Sequence, residues 1–395
     1  MLHLLRRRNF ALFWTSGLVS YVGDWVLLTA LPFYVYELTG WAVATGAMFI
    51  VQTLPPLLLG SVAGVYADRW NRKHIMVIAD VTRGAVLLPL LLVRSAESVW
   101  LVYVVGFVEA CISQFAAPAE AALLPTLVEE KDLVPANSLN AMNDNLARLA
   151  GPALGGLLMT KTGLPLVVLA DMASYFISAL LIVFLQPPSQ PSKESQSASV
   201  WAEWVAGLKL LTNNRPLTLL FAVTAAAVVA EGILSVLLVP FVKVLLGGAA
   251  QELGWLMTAR GAGGILGGLL VGHWATGVSP GRLLPAGLAG CGAVILGMVS
   301  FRSLPAGLVL LAVVGFPAMA FLIGAQTLLQ LNTPDAFRGR VSGCFGTTLA
   351  LASLAGMGLG SALGDTAGVA AMFGAAGIIY LLVAVAAWSG FHGAG

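Results

Sequence analysis

The stretch "GSVAGVYADRWNRKH", residues 60–74, packs Asp68, Arg69, Arg72, Lys73 and His74 into seven positions. Charged residues make up only 10% of the chain, and the sequence on both sides of this stretch is almost purely apolar. Gly60 and Gly64 form a small-x-x-x-small step, the pattern with which one membrane helix lets another approach closely. The stretch therefore reads as the end of one spanning helix, a charged turn in water, and the start of the next.

Composition extends that reading to the whole chain. Of 395 residues, 58% are hydrophobic, and mean hydropathy is +0.91. A soluble domain is about 45–50% apolar and about 25% charged, so this excess does not fit one water-surrounded core. Twelve runs are long enough, at 1.5 Å per residue, to cross about 30 Å of hydrocarbon. They cover 10–36, 41–65, 75–94, 99–122, 137–160 and 164–185, then 216–243, 251–275, 281–302, 305–330, 341–362 and 366–389. The alternation of barrel strands is absent. In lipid every backbone polar group must be paired within the chain, which helices achieve and open strands do not. The expected fold is an all-α membrane protein of twelve transmembrane helices. "MLHLLRRRNF" and the run after it read as the first span, since the run is too long for a signal peptide.

Residues 186–199, "QPPSQPSKESQSAS", are polar and Pro/Ser-rich and read as a linker. Segment 201–215 reads as a short amphipathic helix on the membrane surface. The expected organisation is a six-helix bundle over 1–185, a linker over 186–215, and a second six-helix bundle over 216–395. With the N-terminus inside, fourteen Lys/Arg residues fall on the cytoplasmic side and four on the outer side, with Arg148 and Arg260 within spans. The positive-inside rule favours that topology, with both termini and the linker cytoplasmic. A weak repeat supports two halves. Gly60 and Gly64 before the basic turn correspond to Gly268 and Gly272 before Arg282, six helices later.

These features together resemble the major facilitator superfamily. "GVYADRWNRK" is similar to its signature loop through Gly64, Asp68, Arg69, Arg72 and Lys73. The opening "RRRNFALFW…GDW…LPFYVYELTG" resembles the bacterial branch of macrolide and siderophore exporters. "LARLAGPALGG" (146–156) is similar to the second half of the antiporter motif of exporters, through Gly151, Pro152, Gly155 and Gly156. The resemblance implies two pseudo-symmetric six-helix bundles, an alternating-access mechanism, and a latch-like role for the 64–73 loop on the cytoplasmic side. It also implies that helix five packs against the C-terminal half.

Charges at mid-bilayer cost at least ~2.5–3.5 kcal/mol and mark function by default. Asp24, Glu109 and Glu231 lie near the middle of spans one, four and seven, helices that line the central cavity in the resembled fold. Arg148 and Arg260 lie at similar depth: Arg148 is a candidate partner for Asp24 or Glu109, and Arg260 for Glu231. Gln326 adds polar lining on span ten. Asp171 reads as a wetted outer residue, Glu120 and Asp144 as structural or gating charges, and Asp80 with Arg83 as a helix-surface pair. Span four lacks the arginine of many proton-coupled members of the superfamily, so their proton relay does not transfer to this chain.

Other classes are disfavoured. Net charge is +2, which gives no basis for nucleic-acid binding. His3, His74, His273 and His392 are scattered and the three cysteines lie in apolar runs, so no metal site or cofactor is expected. "RGAGGILGG" (260–268) does not have nucleotide-loop spacing and reads as helix packing. No Walker motif or nucleophile elbow is present. The expected function is a monomeric secondary transporter of the cell membrane, exporting amphiphilic small molecules in exchange for protons (or Na⁺). The alternatives are export of a siderophore or lysolipid, with Arg260 meeting an anionic group, and a non-transporting scaffold or sensor.

Overall fold

Long apolar runs interrupted by glycine, asparagine and proline become helices with defined ends. The computed structural model describes residues 2–186, 214–275, 277–334 and 337–391, with 60–69 described in their helical backbone alone. The expected linker and surface helix fall largely on 187–213, outside the described residues, as do the side chains of Asp68 and Arg69 and the surroundings of Gly64.

Twelve α-helices occur among the described residues: α1 (Arg8–Thr39), α2 (Ala42–Arg69), α3 (Arg72–Val86), α4 (Trp100–Leu123), α5 (Leu133–Thr162), α6 (Leu164–Val183), α7 (Arg215–Pro240), α8 (Ala250–Trp274), α9 (Pro280–Ser300), α10 (Leu304–Leu331), α11 (Arg338–Ala367) and α12 (Val369–Phe391). Each expected span has its helix. The third is shorter than the apolar run: α3 stops at Val86 and a 3-10 turn follows over Leu88–Leu92, where Pro89 has no N–H for the helical ladder. The boundary between the last two lies at Gly368, with φ 87°, so α11 runs past the expected stop at 362. Gly40 ends α1 at φ 71°, in the left-handed region that glycine reaches without a Cβ clash, and its N–H donates to Tyr36 O at 2.8 Å. Asn71 and Asn214 cap α3 and α7 by accepting from the N–H groups of His74 and Leu217.

Ten helices, some counted with a short adjoining turn, are long and apolar enough to cross a membrane. The two others are α5, with Asn140, Asn143, Asp144 and Arg148, and α8, with Glu252, Arg260 and many glycines. Five of the six exposed tryptophans among the described residues sit at helix ends, Trp41 and Trp100 where α2 and α4 begin, and Trp70, Trp274 and Trp388 where α2, α8 and α12 finish; Trp255 lies within α8. Leu58, Leu180, Leu269, Leu382 and Val385 stand exposed along their own helices. Exposed apolar side chains on long helices, with aromatic residues toward the helix ends, are the pattern of spans in a bilayer.

The helices gather into two compact units. One holds α1, α2 from Val51 onward, α3–α6, and Ala249–Thr258 at the start of α8. The other holds Trp41–Ile50, α7, α8 from Ala259, and α9–α12. Within the first unit the principal contacts are α1 with α5 and α6, and α3 with α4 and α6. Within the second they are α7 with α11 and α12, and α9 with α10 and α12. The same four pairings thus recur with an offset of six helices, the internal repeat that the glycine pattern hinted at. The units depart from a cut at the linker because the first parts of α2 and α8 have specific partners. Asp365 of α11 accepts from the N–H groups of Ala42 (2.9 Å) and Val43 (3.3 Å) at the start of α2. The start of α8 meets α5 where Gly254 faces the Pro152 carbonyl and the Cα of Gly156.

Glycine contacts place the helices. A Cβ on Gly155 would stand 2.9 Å from Val26 Cα, and one on Gly232 would stand 2.9 Å from Met357 N. These distances admit no side chain, so α1–α5 and α7–α11 touch backbone to backbone. The glycines of "RGAGGILGG" do likewise: Gly263 and Gly267 of α8 face Ala312 and Gly315 of α10. That stretch is helix packing, as its spacing implied.

Candidate functional site

In the first unit, polar side chains from α1, α3, α4 and α6 converge. Asp24 is on α1, Asp80 and Arg83 on α3, Glu109 and Ser113 on α4, and Tyr175 and Ser178 on α6. The Tyr175 hydroxyl lies 2.5 Å from Asp24 Oδ1 and 3.2 Å from Glu109 Oε1. Ser113 Oγ donates to the same Glu109 oxygen at 2.8 Å. Arg83 lies across the group. One of its nitrogens donates to Asp80 Oδ1 at 2.6 Å, and another reaches Ser113 Oγ at 3.4 Å and stands 3.9 Å from Glu109 Oε1. Its guanidinium also covers the Tyr175 ring, 4.5 Å from the centroid. Ser178 holds the other Asp80 oxygen at 2.6 Å. Tyr175, Asp80 and Ser178 are buried, while Asp24 and Glu109 are half-buried, the Glu109 side chain retaining 24% of its surface. Asp171, on α6, is buried beside Gly23 and accepts from Ser174 Oγ at 3.2 Å.

The second unit holds a related, smaller group. Glu231 of α7 pairs with Arg260 of α8, and the Tyr380 hydroxyl of α12 donates to the other Glu231 oxygen at 3.3 Å. Arg260 and Glu231 keep 46% and 36% of their side-chain surface. A carboxyl on the first helix of a repeat and a tyrosine on its last thus meet in both units, Asp24 with Tyr175 and Glu231 with Tyr380.

Several sequence expectations need correction. Arg148 does not reach Asp24 or Glu109. It pairs one turn back with Asp144 at 2.9 Å, half exposed, with its guanidinium 5.2 Å from the centroid of Trp25. The cation beside Asp24 and Glu109 is Arg83, which the spacing with Asp80 had suggested was a surface pair; Asp80 is 3% exposed. Asp171 is not wetted but 1% exposed. Gln326 is exposed on α10 and its side chain makes no hydrogen bond among the described residues. The sequence reading missed Arg83 and Tyr175 as members of the site. A signal was available in the repeat, which sets Tyr175 and Tyr380 at corresponding places six helices apart.

The remaining motif residues make packing and helix-end contacts. Gly151 and Gly155 seat α5 on Val22, Trp25 and Val26 of α1, one turn beyond Asp24 at most, and Gly156 meets Ala250 and Gln251 of α8. Thr258 Oγ1 donates to the Leu149 carbonyl at 3.0 Å, alongside Pro152. In the signature loop, Arg72 donates to the Ala122 carbonyl at the end of α4 (2.9 Å), and Lys73 to the Val183 and Leu185 carbonyls at the end of α6 (2.7 and 2.8 Å). Both cations thus meet the negative ends of helix dipoles. Nearby, the Leu2–Arg6 turn buries Leu4 against Phe10, Phe13 and Leu139. Arg7 pairs with Asp132 and Glu129 on the α4–α5 loop. Lys131, bonded at 2.7 Å, and then Arg7 hold the exposed Glu129 carboxyl below its ordinary range.

Comparison with known proteins follows this geometry. The family model described as transmembrane secretion effector matches residues 2–391. The chain is 28% identical to an uncharacterized MFS-type transporter, YfiS of Bacillus subtilis, over 93% of this chain and 89% of that protein. It is 24% identical to macrolide efflux protein A of Streptococcus pyogenes, over 95% of this chain and 94% of that protein. Its fold matches a crystal structure of a bacterial homologue of the iron transporter ferroportin in an inward-facing state, with TM-score 0.78, 16% identity, and 97% and 99% of the two chains covered. Twelve helices in two repeats, most of them apolar enough to span a membrane, and these matches together place the chain in the transmembrane secretion effector family of major facilitator transporters, as a multi-pass membrane transporter and not an enzyme.

Proposed function

We propose that this protein exports amphiphilic, drug-like small molecules across the cell membrane in exchange for protons, by alternating access between its six-helix halves. The Asp24–Tyr175–Glu109–Arg83 group is the proton-handling site, and both termini face the cytoplasm. The observation that carries the reading is the Tyr175 hydroxyl. It has one hydrogen and two carboxyl neighbours, at 2.5 and 3.2 Å. Both contacts are hydrogen bonds only when one carboxyl brings a proton of its own. Charge balance points the same way. Asp24, Asp80 and Glu109 adjoin one guanidinium, and uncompensated charge within a membrane is costly. Arg83 with Asp80 leaves Asp24 and Glu109 as the pair that gains and loses a proton. Their half-open surfaces give water or cargo a way in, so cargo that displaces the proton couples the two fluxes.

Export and cargo class are supported by the similarity to a macrolide efflux protein and by the antiporter-type Gly151–Gly156 segment. The residues 64–73 act, on this reading, as the latch that holds one state of the cycle. A siderophore or lysolipid as cargo is the second reading, favoured by the exposed Arg260 guanidinium, which an anionic group could share with Glu231. A susceptibility panel comparing deletion and overexpressing strains names the cargo. In inverted vesicles with an imposed pH gradient, Asp24→Asn and Glu109→Gln should each lose gradient-driven accumulation of that cargo. Full accumulation in both variants overturns the assignment.

A further inference from the structure

The first unit contains a second, part-buried polar group that the transport reading does not use, at the junction of α1, α4 and α5. The Glu120 carboxyl accepts from the Tyr21 hydroxyl, which stands 3.0 and 2.9 Å from its two oxygens, and from Asn140 Nδ2 at 3.4 Å. Among the described residues no Lys, Arg or His stands within ion-pair distance of Glu120. Arg83 and Asp80 of α3 act on it only through the electrostatic field, without direct contact. Asn143, one turn along α5 from Asn140 and therefore on the same strip of helix surface, is fully buried. Its Nδ2 donates to the Trp14 carbonyl at 3.0 Å, beside Gly17, where a Cβ would stand 3.1 Å from that nitrogen. The Oδ1 atoms of both Asn140 and Asn143 are buried without a hydrogen-bond partner.

A buried carbonyl oxygen left without a donor costs about 1–3 kcal/mol, and buried polar groups are nearly always satisfied. Here two such oxygens accompany a carboxylate that has neutral neighbours. A proton on Glu120 neutralises the carboxylate and leaves both amide oxygens as they are. A water molecule serves an amide oxygen and leaves the charge. A small hard cation answers both needs, because carboxylate and amide oxygens are its preferred ligands. One carboxylate sets the charge at one. Calcium and magnesium sites draw on more carboxylate or substrate charge, and no His/Cys/Asp/Glu cluster among the described residues suits a transition metal.

We propose that Glu120, Asn140 and Asn143 bind a monovalent alkali cation, sodium first among them, at the α1–α4–α5 junction. Tyr21 orients the carboxylate by bridging both its oxygens. The site is independent of the proton-coupling reading: it predicts binding whether or not Asp24 and Glu109 carry protons.

The test uses the full-length protein in detergent, with thermal unfolding followed over increasing NaCl while choline chloride keeps ionic strength constant. The expected result is a saturable rise in Tm of about 2–4 °C with sodium and none with choline. Glu120→Gln retains an acceptor for Tyr21 and should abolish the rise, while Asp144→Asn, a change at a half-exposed carboxyl on α5, and Asp24→Asn should keep it. Equilibrium binding of radioactive sodium to the unmutated protein gives a second readout that does not depend on a variant folding, with one ion per chain expected. Equal Tm in sodium and choline, a Glu120→Gln protein that keeps the full rise, or no saturable sodium binding overturns the proposal. A Tm that responds to acid and not to sodium overturns it as well, since Glu120 then takes only a proton.

Discussion

Replacing Arg83 with glutamine tests the account of the charged group most severely. The side chain is 11% exposed and bonds Asp80 at 2.6 Å, stands 3.9 Å from Glu109, and covers Tyr175. Removing one partner of a buried ion pair leaves the other charged and unpaired, at a cost of about 3–5 kcal/mol. The cation–π contact contributes roughly 0.5–2 kcal/mol within that total and is not a separate addition. Arg83→Gln should therefore lower unfolding free energy by about 3–5 kcal/mol. Arg83→Lys should recover part of it, since an ammonium keeps the charge but cannot span Asp80 and Ser113 while lying flat on a ring. The decisive comparison is Asp80→Asn with Arg83→Gln. Deleting both charges removes the unpaired carboxylate, so the double variant should be more stable than the sum of the singles implies, by roughly 0.5–3 kcal/mol. Reversible unfolding in mixed micelles, followed by helical circular dichroism, measures all five proteins. An Arg83→Gln protein within about 1 kcal/mol of the parent, or strictly additive singles, refutes the claim that Arg83 is the group's counterion.

Other perturbations probe separate parts of the structure. Gly155→Val puts a branched side chain against the Val26 backbone and should cost at least ~1–3 kcal/mol by overpacking; unfolding free energy unchanged from the parent contradicts the α1–α5 contact. Asp365→Ala removes the carboxylate that caps α2 and should cost about 1 kcal/mol, with Asp365→Asn recovering most of it; faster amide exchange at Ala42 and Val43 is the accompanying readout. Tyr175→Phe keeps the ring under Arg83 while deleting the hydroxyl, so it should fold like the parent yet lose gradient-driven accumulation in inverted vesicles; unimpaired accumulation removes the phenol from the pathway. At the α4–α5 loop, Lys131→Ala should raise the Glu129 carboxyl toward its ordinary value in a carbon-13 titration. Because that carboxyl is held low in the folded protein, the stabilisation it gives is present above about pH 4.3 and is lost as pH falls further.

The fold was readable because a bilayer leaves few options. Runs of twenty or more apolar residues must be helices, and the charge cluster at 68–74 marks a turn between two of them. The glycines of "RGAGGILGG" also disclosed their role, since Gly263 and Gly267 meet the α10 backbone as residues without a side chain can, whereas Gly272 meets nothing and Gly60 and Gly64 lie outside the described surroundings. The site was legible only in part. Asp24, Glu109 and Glu231 stood out as charges at depth, but their partners depend on which helices lie side by side. Arg148 seemed the nearer cation by depth along the sequence. It faces its own Asp144 one turn away, and Arg83, three residues from Asp80 and apparently committed to it, turns inward to Glu109 and Tyr175. Tyr175 carried no charge to draw attention. Asn140 and Asn143 looked like ordinary polar residues near a helix end, and only burial without partners sets them apart.

The most direct test of the central claim is infrared difference spectroscopy of the purified protein, following the carbonyl stretch of protonated carboxyls between acid and alkaline pH. The account predicts a titrating band that disappears in Asp24→Asn or Glu109→Gln and shifts in Tyr175→Phe. A spectrum identical in all four proteins contradicts it, because the proton would then reside elsewhere.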